Sequence, residues 1–199
     1  GVVQRVVEEL MKAKPSLPDG FTGIYDQVED AVENAIAAQR QLLTLPLKTR
    51  DKMIAAMRKT VLDNNEMLSE LAVRETKLGR YEDKVRENIL CATKTPGTED
   101  IQPTAISGDD GLMLLEHAPV GVIGALTPIT NPTGTFIHNG ISMVAAGNAV
   151  VFNPHPTARE TSTKMVELLH QAIVDGGGPP SLISSIRVPT LDTARQIIE

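Results

Sequence analysis

Tryptophan is absent from these 199 residues, and phenylalanine, tyrosine and tryptophan together make up only 3%. A core must therefore be built from Val, Ile, Leu, Ala and Met, and with 41% hydrophobic residues there is enough material for one. Cysteine occurs once, at Cys91, which excludes an internal disulfide and a multi-cysteine metal site. Positive charge is also in short supply, with Lys plus Arg at 19 against 25 for Asp plus Glu, a net charge of −6. A chain of that sign without a basic cluster is a poor ligand for phosphate backbones, so no nucleic-acid partner is expected. No apolar window is long enough for a membrane span. The stretch from His117 to Ala158 carries no Asp, Glu, Lys or Arg, yet Pro, Gly, Asn and Thr interrupt it throughout. Such a pattern suits a buried β-α-β core. There is no apolar segment followed by a small-residue cleavage site at the start, and a cytoplasmic protein is expected.

Residues 1–20 read as an amphipathic helix and a linker. Val2, Val3, Val6, Val7, Leu10 and Met11 share one stripe, and Pro15-Ser16-Leu17-Pro18-Asp19-Gly20 uncouples it from the next segment. Either the helix docks onto a partner or it packs on its own domain. From 27 to 95 the pattern is helical. The expected inward stripes are Val28, Ala31, Val32, Ala35 and Ile36, then Met53, Ile54, Met57 and Val61, then Met67, Leu68, Leu71 and Ala72, and finally Val85, Ile89 and Ala92. Pro46 and Pro96 act as stops, Asn64-Asn65 as a cap, and Gly79 as a helix-ending glycine. Residues 104–117 predict a β-hairpin turning at Gly108-Asp109-Asp110-Gly111.

From 119 to 199 strand and helix alternate. Val120–Leu126, Ala149–Phe152 and Leu182–Val188 read as strands, the first covered on both faces. Helices are expected from Pro132 to Gly147, from a capping box at Thr157-Ala158-Arg159-Glu160, and from Leu191 to Ile198. The fold class is therefore α/β, a Rossmann-like doubly wound parallel sheet preceded by a helical region and a hairpin.

In such sheets ligands collect beyond the carboxyl ends of the strands. Two loops occupy that position. Thr127-Pro128-Ile129-Thr130-Asn131-Pro132 leads into a helix N-terminus, where amides can stabilise an anion or a developing oxyanion. The same residues would also make an ordinary capped turn. Asn153-Pro154-His155-Pro156 is a stiff platform for a nucleotide, or simply a rigid connection with an exposed His155. No G-x-G-x-x-G follows any strand, so a dinucleotide would have to be held by other means. Cys91 has no histidine nearby to activate it and reads as a small core residue. His117, His138 and His170 have no metal-ligand spacing, and no metal is expected. Glu70, Glu75 and Glu82 read as solvated helix faces.

The segments Val120-Gly121-Val122-Ile123-Gly124-Ala125-Leu126-Thr127-Pro128-Ile129-Thr130-Asn131-Pro132 and Ala145-Ala146-Gly147-Asn148-Ala149-Val150-Val151-Phe152-Asn153-Pro154-His155-Pro156 resemble the nucleotide-binding strands and loops of aldehyde dehydrogenases of the CoA-acylating branch. Arg74 to Lys84 and Lys94 to Asp100 extend the resemblance, which runs from about Val28 onward and points to the propionaldehyde and acetaldehyde dehydrogenases of bacterial microcompartments. It implies oxidation of a short-chain aldehyde to its acyl-CoA, with NAD and coenzyme A, through a cysteine thioester. Thr127, Pro128, Ile129 and Thr130 match the loop lining the nicotinamide, and Asn153, Pro154, His155 and Pro156 the loop near the adenosine. Thr130 aligns with the asparagine that non-acylating relatives use on the oxyanion and Asn131 follows it, so either is the candidate catalytic donor. Asn153 carries no positive charge for a ribose phosphate, a lean toward NAD over NADP.

The resemblance further implies that the hairpin assembles homo-oligomers, and that residues 2–11 dock to shell or cargo proteins inside the microcompartment lumen. Residues 21–199 would be the N-terminal part of the nucleotide-binding domain, with the nucleophilic cysteine in a catalytic domain outside this chain. The chain alone is then expected to be inactive. The alternatives are a nucleotide-binding or shell-docking module without catalysis, or another member of the superfamily.

Overall fold

The computed structural model describes residues 20–199, so the Val2–Met11 stripe lies outside the described residues. The first described element is a two-residue strand, β1 (Ile24–Tyr25), followed by α1 (Val28–Leu42), α2 (Leu47–Asp63), α3 (Asn65–Thr76) and α4 (Tyr81–Lys94). The hairpin is β2 (Thr104–Gly108) and β3 (Gly111–Leu115). Then come β4 (Val122–Thr127), α5 (Gly134–Ala145), β5 (Ala149–Pro154), α6 (Arg159–Asp175), β6 (Ile183–Ile186) and α7 (Leu191–Ile198).

Four strands form one parallel sheet in the order β1-β6-β5-β4. Two successive crossovers put α5 and α6 on one face, and α2 packs over both. On the other face α1 and α7 meet the strands. β5 is central, and all six of its residues are buried, as its unbroken Ala-Val-Val-Phe run requires. Phe152 stacks on Phe136 of α5 with ring centroids 4.3 Å apart. The expected Rossmann-like α/β architecture is what the structure contains.

Several local expectations are corrected. β4 is an edge strand, and Leu126 is half exposed, so its outer face is not covered as the apolar run suggested. β1 is not legible in the sequence, because two residues carry no period. The stripe of α2 (Met53, Ile54, Met57, Val61) is buried as expected, but α4 is rotated. It buries Lys84, Asn88 and Ala92, while Ile89 and Leu90 face outward. The reason is a polar seam. Asn88 Nδ2 donates to Asn65 Oδ1 (3.0 Å) and to Ser69 Oγ (3.1 Å), and Asn65 Nδ2 donates to the Val85 carbonyl (3.0 Å). Asn65 is thereby a cross-link between α3 and α4, and neither it nor Asn64 caps the N-terminus of α3 with its side chain, since Asn64 Nδ2 donates back to the Thr60 carbonyl (2.8 Å) in the last turn of α2.

Helix ends are closed by distant side chains. The left-handed residue ending α3 is Lys77 (φ 59°), ahead of Gly79. Arg58 of α2 donates to the carbonyls of Ala92 (2.6 Å) and Thr95 (2.7 Å), closing the C-terminus of α4. Arg50 does the same for α5 through the Ala145 carbonyl (3.0 Å). The Thr157–Glu160 capping box does not form, because Thr157 lies in a 3-10 turn (Pro156–Ala158) and α6 begins at Arg159. The free amides of α6 are instead taken by Glu75, a residue expected on a solvated face.

Candidate functional site

Parallel pairing of β4 with β5 sets Leu126 opposite Asn153 and Thr127 opposite Pro154. The two predicted loops therefore leave the same edge of the sheet side by side. Thr127 ends β4 with its hydroxyl buried and without a partner among the described residues. Pro128 and Thr130 are exposed, while Ile129 and Asn131 are partly covered. Pro132 and Thr133 are buried where the loop turns into α5.

Lys84 organises this loop, a role that helical spacing does not signal. Its ammonium donates to the Thr130 carbonyl (2.7 Å), to Asn131 Oδ1 (2.7 Å) and to Glu87 Oε2 (2.9 Å), and the side chain is only 7% exposed. All three ammonium protons are thus committed. Glu87 in turn presses on the first turn of α5, where a Cβ at Gly134 would lie 2.7 Å from its Oε1. A side chain at 134 would require the Glu87 carboxylate to shift. The clue in the sequence was a charged residue four positions from Asn88, on the seam that α4 buries.

The second loop is tied down differently. Asn153 is buried, and its Oδ1 accepts from Thr193 Oγ1 of α7 (2.7 Å). Thr193 also forms a capping box with Thr190, so Asn153 fixes the start of α7. Pro154 completes β5, and Pro156 is exposed. His155 is exposed, and its Nδ1 accepts from the Thr157 N–H (3.2 Å), which leaves Nε2 facing outward.

Other candidates lie elsewhere. Cys91 is half-buried, and burial, followed by the negative charge of Glu87, pushes its thiol above the ordinary range. That is the opposite of nucleophile activation. His170 is buried against Phe21, and desolvation lowers its pKa. His138 Nδ1 bonds to Thr95 Oγ1 (3.1 Å), and His117 is exposed beyond β3. Among the described residues no group of three or more His, Cys, Asp or Glu is placed to hold a metal. No helix among them is long and apolar enough to cross a membrane. A cleft of about 750 Å³ between α3 and α6 is lined by Arg74, Arg159 and Arg187 among others, and by none of the loop residues above.

Comparison with known proteins decides the family. Residues 22–199 match the model of the aldehyde dehydrogenase family. The chain belongs to the aldehyde dehydrogenase family. It is similar to an acetylating acetaldehyde dehydrogenase of Bilophila wadsworthia, 47% identical over 178 residues, covering 89% of this chain and 36% of the relative. Two solved structures share the fold of this aldehyde dehydrogenase chain. One is a propionaldehyde dehydrogenase of Rhodopseudomonas palustris with bound CoA and an acylated cysteine, at TM-score 0.86 and 42% identity over 88% of this chain and 40% of that one. The other is the propionaldehyde dehydrogenase of the Clostridium phytofermentans fucose utilisation bacterial microcompartment, at TM-score 0.85 and 46% identity over 88% and 40%. The expected likeness to acetaldehyde and propionaldehyde dehydrogenases of the CoA-acylating branch holds. The chain spans about two fifths of the length of these relatives.

Proposed function

We propose that this chain is the N-terminal part of a CoA-acylating aldehyde dehydrogenase, which oxidises propionaldehyde or acetaldehyde to its acyl-CoA with NAD and coenzyme A. The observation that carries the reading is the pairing of the Thr127–Pro132 and Asn153–Pro156 loops at the carboxyl ends of adjacent parallel strands. It gains weight from relatives whose names describe that chemistry and from a neighbour holding CoA and an acylated cysteine.

The residues fit a nicotinamide cofactor. Thr127 offers a buried hydroxyl without a partner among the described residues, and Pro128, Ile129 and Thr130 extend that edge. Asn153, Pro154, His155 and Pro156 would form the wall near the adenosine, with the outward Nε2 of His155 as its polar contact. Bound there, NAD supplies the hydride acceptor. Thr130 or Asn131 would donate to the oxyanion that forms when a thiolate adds to the aldehyde carbonyl. One well-placed donor of this kind is worth roughly a hundredfold or more in kcat. The nucleophile on this reading is a cysteine of a second, catalytic domain, since Cys91 is half-buried and poorly ionised.

The free edge of β4 is where further strands of the nucleotide-binding domain would pair. Residues 21–199 would then be one portion of that domain, and residues 1–20 a targeting segment directing the enzyme to a bacterial microcompartment in the cytoplasm. The apolar hairpin of β2 and β3 would join copies of the enzyme. The test is a CoA-dependent NADH assay with both aldehydes, run on the enzyme carrying this chain and on the 199-residue chain alone. Acyl-CoA formation by the first and none by the second is expected. Formation by the short chain would overturn the assignment of the nucleophile, and absence from both would overturn the function.

A further inference from the structure

We infer that Lys84 is a positioning residue for the reaction. It turns the Asn131 amide so that its N–H bonds, and not its carbonyl, face the reacting aldehyde oxygen. This role deepens the functional reading above and rests on it. An ammonium group can only donate, so the 2.7 Å contact from Lys84 fixes Oδ1 as the near atom of Asn131 and turns Nδ2 away. Without Lys84 either face of the amide could point outward, and half of those arrangements would offer the oxyanion a lone pair.

Three features make the contact a built one. The Lys84 side chain is nine-tenths buried, all of its donors are used, and its second loop contact is the carbonyl of the adjacent Thr130. Gripping both residues holds the loop as well as the amide. A charge-assisted bond to Oδ1 also polarises the amide, which strengthens its N–H as a donor toward developing negative charge. Glu87 holds Lys84 in place from the opposite side, braced against Gly134.

The experiment uses the whole enzyme that carries this chain, assayed with propionaldehyde, NAD and CoA, and followed in parallel by hydrogen exchange across 127–132. Lys84→Met is expected to lower kcat by about tenfold to a hundredfold, leave KM for NAD within about twofold, and speed exchange in this loop alone. Lys84→Met with Glu87→Gln, which leaves no orphaned carboxylate, should behave alike if the single variant folds poorly. Asn131→Asp keeps an acceptor for Lys84 but has no N–H, so kcat should fall while exchange stays slow. Lys84→Met added to Asn131→Ala should cost little beyond Asn131→Ala alone. Losses that multiply, or a Lys84→Met enzyme with wild-type kcat, would overturn the positioning role. Wild-type exchange in the Lys84→Met loop would overturn the clamp whether or not the enzyme is active. A wild type that makes no acyl-CoA would overturn the functional reading, and the catalytic purpose of the clamp with it.

Discussion

The Glu75 carboxylate of α3 accepts from both the backbone N–H (2.8 Å) and the hydroxyl (2.6 Å) of Thr161 in the first turn of α6, with the Glu160 N–H (2.7 Å) as its third donor. A cap normally comes from the residue just before a helix. Here it comes from a helix 86 positions away, so the bonds that end α6 also dock it to α3. Arg74 adds an exposed pair with Glu160, which contributes little.

Glu75→Ala should therefore behave as a lost cap and a lost tertiary contact together. A loss of about 1–2 kcal/mol is expected, seen as a lower midpoint in urea at unchanged slope. Arg74→Ala should change stability by less than about 0.5 kcal/mol. Equal effects from the two would show that the cap does not dock the helix.

The Asn65–Ser69–Asn88 seam should respond as one unit. Asn88→Ala removes both bonds that Nδ2 donates, along with a buried Oδ1 that has no partner among the described residues, and should cost about 1–3 kcal/mol. Asn65→Ala should cost a similar amount, and the double variant clearly less than the sum, since the second change finds the network already broken. Additive losses would mean that the bonds act independently.

The strands and loops of the last third were legible because an apolar run bounded by Thr-Pro-Ile-Thr-Asn-Pro or Asn-Pro-His-Pro has few other uses. The seam was not, because α4 buries Lys84 and Asn88 and exposes Ile89 and Leu90, the reverse of what an apolar stripe encodes. Glu75 looked solvated for a similar reason, its partners being invisible at helical spacing. In the candidate site, the positions of the two loops could be read from the sequence, but the contact of Lys84 with the first of them could not. Lys84 stands among Glu82, Asp83, Arg86 and Glu87, and only the packing of α4 shows which of these charges points inward.

His170 gives a pH dependence of defined sign. It is buried on α6 against Phe21, beside Gly23, whose positive φ (86°) and close approach leave no room for a side chain. Desolvation lowers its pKa below the ordinary 6.5. The unfolded chain then binds the proton more readily than the folded one, so stability is full above that value and falls as pH drops through it. Urea unfolding at about pH 7.5 and about pH 5.5, on either side of the ordinary value, should show a lower midpoint at the acid end. His170→Gln should flatten this part of the profile, and an unchanged slope would place the acid sensitivity in another group.

The β2–β3 hairpin is apolar and open to solvent. All ten residues of β2 and β3 are exposed, with Leu112 and Leu114 on one face and Ile106, Met113 and Leu115 on the other. A two-stranded ribbon is marginal by itself in water, and one apolar on both faces needs a cover. A second copy of the chain is the cover that requires no further component, and a symmetric contact would apply every apolar residue twice. Leu112→Glu with Leu114→Glu places like charges where the copies would meet, while touching none of the buried core. Sedimentation should show the wild-type enzyme above its monomer mass and the double variant at a smaller assembly, with circular dichroism unchanged. A variant that keeps the wild-type mass would remove the hairpin from the interface, and its exposed leucines would then need a different partner.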